Sequence, residues 1–298
     1  MNSRSLSLQL QSVIFKNDIA SIEKLIFSLK QSSALAIENG NIGKIVYRIG
    51  DCSPEALIGD PSTWCRNFSD SSLAVTYEFF NENLGHGGGQ NRLAQNSTAD
   101  ILGIINPDVV ASPRLISILC NEFDDPSVGI AEASQIPMEH PKDYDLVTRE
   151  TSFASGCCLF IDRLLFEKLD GFDHESFFMY CDDVDLSWRV RLENRKIVFC
   201  PQAVVYHDHR IGKNSELEVS GAEFLYSALG GIMLAYKWGR KDIAEKNLKY
   251  LRSESMYTKA VEEFDIIVKD TGLPEVVVGA EKVRIFTPSG FANYRWTN

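Results

Sequence analysis

The sequence lacks most of the features that would place it in a membrane, on nucleic acid or in an oxidising compartment. No apolar run reaches membrane-spanning length without a charge, and residues 1–10 lack the basic-then-apolar order of a signal peptide. The net charge of −11 argues against binding to a phosphate backbone, which requires a basic surface. The seven cysteines form no Cys-x-x-Cys pair and no zinc-type His/Cys spacing. We therefore expect reduced thiols, a cytoplasmic location and no nucleic-acid partner.

What is present is a globular composition with alternating strand and helix patterns. Of the 298 residues, 44% are hydrophobic and 24% are charged, which suits one large domain or a domain with an extension. The alternation in the first half predicts an α/β fold, with a mostly parallel, Rossmann-like central sheet flanked by helices. The expected strands are 8–15, 43–49, 74–79, 101–105, 153–161, 196–200 and 203–206, and the expected helices are 19–29, 113–123 and 163–169.

The pattern changes beyond His209. An apolar stretch at 221–238 is followed by a basic one at 237–252, and together they predict a C-terminal helical extension. The expected domains are therefore 1–210 and 211–298. The apolar stretch either packs on the core, or contacts a membrane interface with lysines and arginines toward anionic headgroups, or serves a homodimer. A β-like run at 276–278 and the aromatic residues Phe291, Tyr294 and Trp296 follow.

Three carboxylates lie within four positions at Asp182, Asp183 and Asp185. They follow an apolar run at 177–180 and precede a helix-like segment that carries Arg189. Carboxylates this close repel one another unless hydrogen bonds, a cation or protonation relieves them. The cluster indicates either a catalytic base beside a metal or a sugar, or a helix N-terminus at which acids are favoured.

Several chemically capable residues are expected at the ends of strands, which in an open α/β sheet converge on one crevice. Asp51 can accept hydrogen bonds from a ribose or a base, although an Asp-x-Ser-Pro turn also forms for local reasons. The glycine-rich run 85–89 is expected to be a loop that leads into a short helix. It permits close backbone approach to a ligand, but it matches no phosphate-loop signature and is alternatively a flexible turn.

Two further strand ends suggest a metal. Asp108 follows the buried strand 101–105 and lies several residues too early to cap the helix expected at 113. A carboxylate there suits a hard divalent ion that also takes diphosphate oxygens and water. His207, beside Asp208 and His209, is either a further ligand or a structural histidine.

In this order, these elements resemble the family 2 inverting glycosyltransferases of the GT-A fold, and especially their bacterial rhamnosyltransferase-like branch. The similarity runs from about Ser12 to His209. The matching segments are Asn83-Leu84-Gly85 with Asn91, Ile105-Asn106-Pro107-Asp108-Val109, Ser155-Gly156-Cys157-Cys158, Gly171-Phe172-Asp173, and Phe-Met-Tyr-Cys-Asp-Asp-Val-Asp-Leu-Ser-Trp-Arg at 178–189. Each segment is weakly specific alone, whereas the ordered set is specific.

The resemblance implies a metal-dependent enzyme that binds a nucleotide-sugar donor. Asp183 matches the general base of the family, with Asp182 as its catalytic neighbour. Asp108 matches the last acid of the Asp-x-Asp metal motif, so Asp108 and His207 would bind Mg²⁺ or Mn²⁺. The donor-binding residues implied are Asp51, Asn83, Gly85, Asn91, Asn106, Asp108, Gly156 and Arg189.

The sequence also departs from the family pattern. Asn106 replaces the first acid of Asp-x-Asp, which leaves fewer protein ligands for a metal, and Asp182 replaces the usual Glu before the base. The turn at Asp51 reads Asp-Cys-Ser rather than Asp-Asn-x-Ser. The Gln/Arg-x-x-Arg-Trp motif of processive synthases is absent from the sequence, which favours the addition of single sugars.

The expected activity is the transfer of one sugar to a glycan or a lipid-linked oligosaccharide in the synthesis of a bacterial surface polysaccharide such as O-antigen, peripheral to the inner face of the membrane. dTDP-rhamnose is the first expectation for the donor and a UDP-hexose the second. The alternatives are a non-catalytic sugar-nucleotide or glycan-binding module and a nucleotidyltransferase. The last is disfavoured because Phe-Lys-Asn-Asp at 15–18 stands where such enzymes carry a glycine-rich basic loop.

Overall fold

The computed structural model describes residues 5–40, 42–138, 140, 142–207, 221–288 and 290–295. Asp208, His209 and Trp296 lie outside the described residues, and so does the domain boundary expected at 210/211. The division into 1–210 and 211–298 therefore stays a prediction.

Eight strands form one sheet within the described part of the chain, in the order β3-β2-β1-β4-β7-β6-β8-β5. The strands β3, β2, β1 and β4 run parallel, as does the pair β6–β8, while β7 is antiparallel to both its neighbours and β5 is antiparallel to β8. The expected α/β sheet is thus confirmed, with its mostly parallel part at one side and a mixed part at the other. The strands are β1 (Leu6–Ile14), β2 (Ile42–Asp51), β3 (Ala74–Phe79), β4 (Ile101–Ile105), β5 (Val109–Ala111), β6 (Val128–Ile136), β7 (Cys158–Asp162) and β8 (Lys196–His207).

Helices flank the sheet and form the expected C-terminal extension. They are α1 (Ile19–Glu38), α2 (Pro61–Phe68), α3 (Gly85–Ala94), α4 (Leu115–Asn121), α5 (Arg163–Lys168), α6 (Asp182–Leu192), α7 (Gly221–Lys237), α8 (Lys241–Ser253) and α9 (Thr258–Thr271), with single 3₁₀ turns at Glu122–Asp124, Ser255–Tyr257 and Ala280–Lys282. None of these described helices is both long and apolar enough to span a membrane.

The helix α1 is longer than its apolar pattern indicates. Its predicted part, 19–29, has the apolar period of an amphipathic helix, but the buried face continues through Ser32, Ser33 and Ala36. The hydroxyl of Ser32 accepts a hydrogen bond from the N–H of Ile116 at 3.1 Å. A serine can be buried when its hydroxyl is hydrogen-bonded in this way. Because the prediction counted only apolar residues as buried, it ended the helix at residue 29.

Other differences from the predicted elements have similar local causes. The strand β6 was missed because Glu132, Ser134 and Gln135 interrupt its apolar residues. Glu132 is nevertheless buried, in an ion pair with Lys142. The prediction of two strands at 196–206 was wrong, since β8 is one strand with an irregular register opposite Ala133 and Ser134. The β-like run at 276–278 is not a strand, and 153–157 precedes β7 without belonging to it.

The C-terminal helices pack against α6, which confirms that the apolar stretch at 221–238 contacts the core. Trp188 of α6 is fully buried and meets the ring of Trp238 edge-on at 5.1 Å between centroids. The rings of Phe286 and Phe291 contact the same indole from the residues beyond α9. A single aromatic cluster therefore joins α6 to the extension.

Replacing Trp188 with alanine should lower the free energy of unfolding by about 3–5 kcal/mol, because it opens a cavity at this junction. Denaturant unfolding followed by circular dichroism measures the change. Val278→Ala is the matched control, since that side chain is 94% exposed and its loss should change stability by less than about 0.5 kcal/mol. A loss below about 1 kcal/mol for Trp188→Ala would contradict the packing described here.

Candidate active site

The helix α6 begins with an unusual backbone conformation. Tyr180 and Cys181, which precede it, have φ values of 65° and 62°. Left-handed non-glycine residues cost of the order of 1–3 kcal/mol each and persist only where the surroundings impose them. Gly230 of α7 supplies part of that environment, because a Cβ there would lie 2.6 Å from the carbonyl oxygen of Tyr180. The two residues turn the chain so that α6 starts with three acids in its first turn.

Asp183 is held by backbone N–H groups. Its Oδ2 accepts a hydrogen bond from the N–H of Gly156 at 2.8 Å, and its Oδ1 accepts one from the N–H of Val184 at 2.8 Å. Burial and the neighbouring charge of Asp182 raise the pKa of Asp183 to about 6, against the lowering effect of the Gly156 bond. A carboxylate with this pKa is suited to accept a proton near neutral pH.

Asp182 has a different partner. Its Oδ2 lies 2.6 Å from Nδ1 of His86, and both side chains are largely buried. Burial alone would lower the pKa of His86, but the charge of Asp182 and the hydrogen bond to it outweigh burial and raise that pKa above its ordinary value. The sequence analysis did not single out His86, and the only signal available was its position inside a glycine run.

That glycine run is helical, so the prediction of a loop at 85–89 was wrong. The glycines belong to α3, and their missing side chains let this helix approach its neighbours closely. Gly85 has a φ of +68°, and a Cβ there would lie 2.2 Å from the carbonyl oxygen of Phe178. The N–H of His86 donates to that same carbonyl at 3.0 Å. The run therefore packs α3 against 172–178, which aligns His86 with Asp182.

The segment 153–157, which carries the N–H that binds Asp183, is supported by a buried ion pair. Nζ of Lys142 lies 2.7 Å from both carboxylate oxygens of Glu132 and donates to the carbonyl of Phe153 at 2.5 Å. Oε1 of Glu132 also accepts the N–H of Ser155 at 2.8 Å. Since Glu132 and Lys142 are only 3% and 4% exposed, the pair fixes the backbone one residue before Gly156.

Asp108 and His207 meet beside the other end of this segment. Val109 pairs with His207 across β5 and β8, and Nε2 of His207 lies 3.3 Å from Oδ1 of Asp108. Nε2 also lies 3.5 Å from Nδ2 of Asn106, and the backbone N–H of Asn106 donates to the carbonyl of Cys157 at 2.8 Å. The segment 155–157 thus connects Asp183 on one side with Asn106, Asp108 and His207 on the other.

The side chains of Asp108 and His207 could together bind a divalent cation that has few protein ligands. Among the residues that the structure describes, no three His, Cys, Asp or Glu side chains are grouped to hold a metal by themselves. The carboxylate of Asp108 suits a hard divalent cation such as Mg²⁺ or Mn²⁺, and with so few protein ligands positions remain for diphosphate oxygens and water. Sγ of Cys157 lies 3.4 Å from Nδ1 of His207, so this second ring nitrogen already has a partner within the protein.

Asp51 is fully buried at the end of β2 and binds its own chain. Its carboxylate accepts the N–H groups of Ser53 and Leu57 at 2.8 and 2.9 Å and the hydroxyl of Tyr77 at 2.5 Å. Burial and the hydrogen bond to Asp51 raise the pKa of Tyr77. Asp51 therefore shapes the loop after β2, and its contact with the nucleoside stays a prediction.

Three other predicted donor-binding residues also contact the chain itself. The amide of Asn91 exchanges two hydrogen bonds of 2.8 Å with the backbone of Phe172. Arg189 binds Asp185 at 2.8 Å and the carbonyl of Leu169 at 2.7 Å. Asn83 is exposed, with its Oδ1 3.4 Å from the N–H of Gly85.

Asn91 and Arg189 line a cavity of about 610 Å³ between the end of α3, the loop 169–175 and α6. Asp51, Asp108, Asp182 and Asp183 do not line it. The structure therefore groups six of the predicted residues at one site, while Asn91 and Arg189 line a cavity that these six do not line: Asp182, Asp183, Gly156, Asn106, Asp108 and His207.

Parts of the sequence are similar to curated glycosyltransferases. No profile of a known protein family matches the chain. It is 29% identical over 111 residues to the low-salt glycan biosynthesis hexosyltransferase Agl10 of Haloferax volcanii, which is 34% of each protein. It is 38% identical over 68 residues, or 22% of each protein, to an N-acetylglucosaminyl-diphospho-decaprenol L-rhamnosyltransferase of Mycobacterium tuberculosis. The match thus covers about a third or less of these curated relatives.

Solved structures agree over nearly the whole chain. A mannosyltransferase of Pyrobaculum calidifontis in complex with GDP-Man and Mn²⁺ aligns with a TM-score of 0.54 and 15% identity over 89% of this chain and 86% of its own. GalNAc-T7 with UDP, GalNAc and Mn²⁺ aligns at 0.62 and 11% identity over 92% and 56%. S. aureus TarS with UDP-GlcNAc aligns at 0.54 and 11% identity over 89% and 73%. The chain has the GT-A glycosyltransferase fold. This confirms the fold that the resemblance to family 2 implies.

Replacing Glu132 with glutamine should destabilise the protein by about 3–5 kcal/mol, because it leaves the buried ammonium of Lys142 without its counter-ion. The amide oxygen can still accept the N–H of Ser155, so the loss reports the charge pair. Denaturant unfolding at pH 7.5 measures it. The double variant E132Q/K142M removes both charges and should lose less stability than Glu132→Gln alone, so equal or larger losses in the double variant would refute this account.

Proposed function

We propose that this protein is a glycosyltransferase that moves a single sugar from a nucleotide-sugar donor to a glycan or lipid-linked acceptor, with inversion at the anomeric carbon. The observation that carries the proposal is Asp183. Its carboxylate is fixed by the N–H of Gly156, has a pKa raised to about 6, and is joined through 155–157 to Asn106, Asp108 and His207. The proposed base and the proposed site for the leaving diphosphate therefore contact the same segment, 155–157, from different elements of the fold.

The proposed reaction is one displacement. The acceptor hydroxyl gives its proton to Asp183 as its oxygen bonds to the anomeric carbon, and the bond from that carbon to the nucleoside diphosphate breaks. Asp108 and His207 would hold Mg²⁺ or Mn²⁺, which when bound supplies charge stabilisation for the departing diphosphate. The N–H groups of Gly156 and Val184 each bind one carboxylate oxygen of Asp183 and so fix the orientation of the carboxylate.

The donor is proposed to be dTDP-rhamnose, with a UDP-hexose as the second candidate. The partial similarity to an L-rhamnosyltransferase of M. tuberculosis supports the first, and the similarity to a hexosyltransferase of H. volcanii supports the second. The acceptor would be a growing surface glycan of the O-antigen kind or its lipid-linked precursor, reached from the cytoplasmic face. Asp51, Asn83, Gly85, Asn91, Asn106, Gly156 and Arg189 remain the proposed donor contacts.

A panel of nucleotide sugars tests the donor. One of dTDP-rhamnose, UDP-glucose, UDP-galactose, UDP-GlcNAc and GDP-mannose should raise the melting temperature, and more so with Mn²⁺ or Mg²⁺, because a ligand at about 100 times its dissociation constant adds roughly 2.7 kcal/mol of stability. The Asp108→Asn variant should lose the metal-dependent part of the shift. No response to any donor, with or without metal, would contradict the proposal.

Asp183→Asn should lower the rate of transfer by about 10²- to 10⁴-fold, as expected for loss of a general base. The same variant should be more stable at pH 7.5. The raised pKa means that the folded state holds the proton more tightly than the unfolded chain, so ionisation costs stability from about pH 4 upward and in full above about pH 6.

The asparagine avoids that cost and should gain up to about 3 kcal/mol at pH 7.5 but nothing at about pH 4. Unfolding curves at both pH values, measured beside the transfer assay, separate lost chemistry from lost structure. Near-normal turnover by Asp183→Asn would remove Asp183 as the base.

A further inference from the structure

The first turn of α6 buries two adjacent acids, and only one of them has the backbone N–H of Gly156. We propose that His86, hydrogen-bonded to Asp182 as an imidazolium ion, is the positioning residue that offsets the charge of Asp182 and so keeps the neighbouring Asp183 available as a carboxylate. The inference rests on the proposed function for its catalytic meaning, although the electrostatic part concerns the protein alone.

The geometry of the pair is that of a charge-assisted hydrogen bond. Nδ1 of His86 and Oδ2 of Asp182 are 2.6 Å apart, slightly shorter than the distance of about 2.7–2.9 Å that is usual for such bonds. The side chain of Asp182 is 4% exposed and that of His86 is 19% exposed. A buried carboxylate without a partner destabilises the fold, and the imidazole of His86 supplies that partner for Asp182.

His86 also lies beside Asp183. A Cβ built on Gly156 would be 3.4 Å from Cε1 of His86 and 3.6 Å from Oδ2 of Asp183, so the imidazole and the carboxylate both border the same glycine. A cation at this range favours the ionised form of a carboxylate, whereas the neighbouring Asp182 disfavours it. The charges of His86 and Asp182 therefore act on Asp183 in opposite senses.

The other titratable groups around Asp183 come from several elements. On its own segment they are Tyr180 and Cys181, and burial together with nearby acids raises the pKa of each of these. Asp108 after β4 and Glu223 of α7 both act on Tyr180. Cys157 lies next to Gly156, and burial raises its pKa as well. Among these groups, His86 is the one that brings positive charge to the acid pair.

Three variants separate charge from structure. His86→Asn keeps a side-chain N–H near the position of Nδ1 but removes the positive charge. Asp182→Asn removes the negative charge. The double variant H86N/D182N removes both charges, so that Asp183 is left with neutral neighbours. A charge-balancing role predicts a shifted titration of Asp183 in the first variant and its reversal in the double variant, which a purely structural role does not.

The first test is NMR on the protein without substrate. The Cγ resonance of Asp183, assigned by comparison with Asp183→Asn, should titrate about one pH unit or more higher in His86→Asn than in the wild type, because an uncompensated Asp182 remains beside it. In H86N/D182N the titration should return toward the wild-type value. An unchanged titration in His86→Asn, or an equal rise in the double variant, would overturn the inference.

A wild-type measurement guards against variants that fail to fold. The imidazole nitrogen resonances of His86 should show a protonated ring at pH 7, with deprotonation well above that of an exposed histidine, because Asp182 holds the proton. Deprotonation of His86 below about pH 6 would overturn the inference without any substitution.

The second test is the pH dependence of kcat with the donor that the panel identifies. The acid limb of the profile should move up by the same amount as the Asp183 titration in His86→Asn, and most of the rate should return at high pH. A lower rate at every pH with an unmoved limb would mean a structural role and would overturn the inference. If the NMR shifts occur but no nucleotide sugar is turned over, the proposed function fails while the charge balance stands.

Discussion

Three carboxylates enter the interior within one turn of α6, and each must be matched by a partner because an uncompensated buried charge costs several kcal/mol. The partners come from different parts of the chain. Asp182 takes an imidazole from α3, Asp183 takes a backbone N–H from 153–157, and Asp185 takes the ammonium of Lys237 at the end of α7. The first turn of α6 therefore contacts the segment before β7, the helix α3 and the end of α7, and it holds these three parts together.

This arrangement gives the C-terminal extension a part in the site. Lys237 lies 2.6 Å from Asp173 and 2.8 Å from Asp185, and the indole N–H of Trp238 donates to Asp185 at 3.0 Å. The helix that presents Asp183 is thus anchored from behind by residues of the extension. Lys237 and Trp238, at the end of α7, thus support the first turn of α6.

The sequence predicted the parts of the fold in which apolar period and burial coincide. The strands Ala74–Phe79 and Ile101–Ile105 were predicted with the bounds they have, because no polar side chain interrupts them on the buried face. Prediction failed where a polar residue is buried with a distant partner, as at Glu132 in β6. At the site, acids at strand ends could be predicted to meet, but the pairing of His86 with Asp182 depends on the packing of α3 across 96 positions of sequence. No local pattern encodes such a contact.

The pairing of β5 with β8 sets Val109 opposite His207 and thereby brings the imidazole to Asp108. The register of β8 shifts opposite Ala133 and Ser134, and beyond that shift Val204, Val205 and Tyr206 pair regularly with β6. The number of residues from Val204 onward therefore decides where His207 lies. Side chains alternate between the two faces of a strand, and a slip by one position turns every one of them over. We therefore expect the stretch from Val204 to His207 to tolerate a change of residue type better than the insertion or deletion of one residue. The number of residues in this stretch is a constraint on the site.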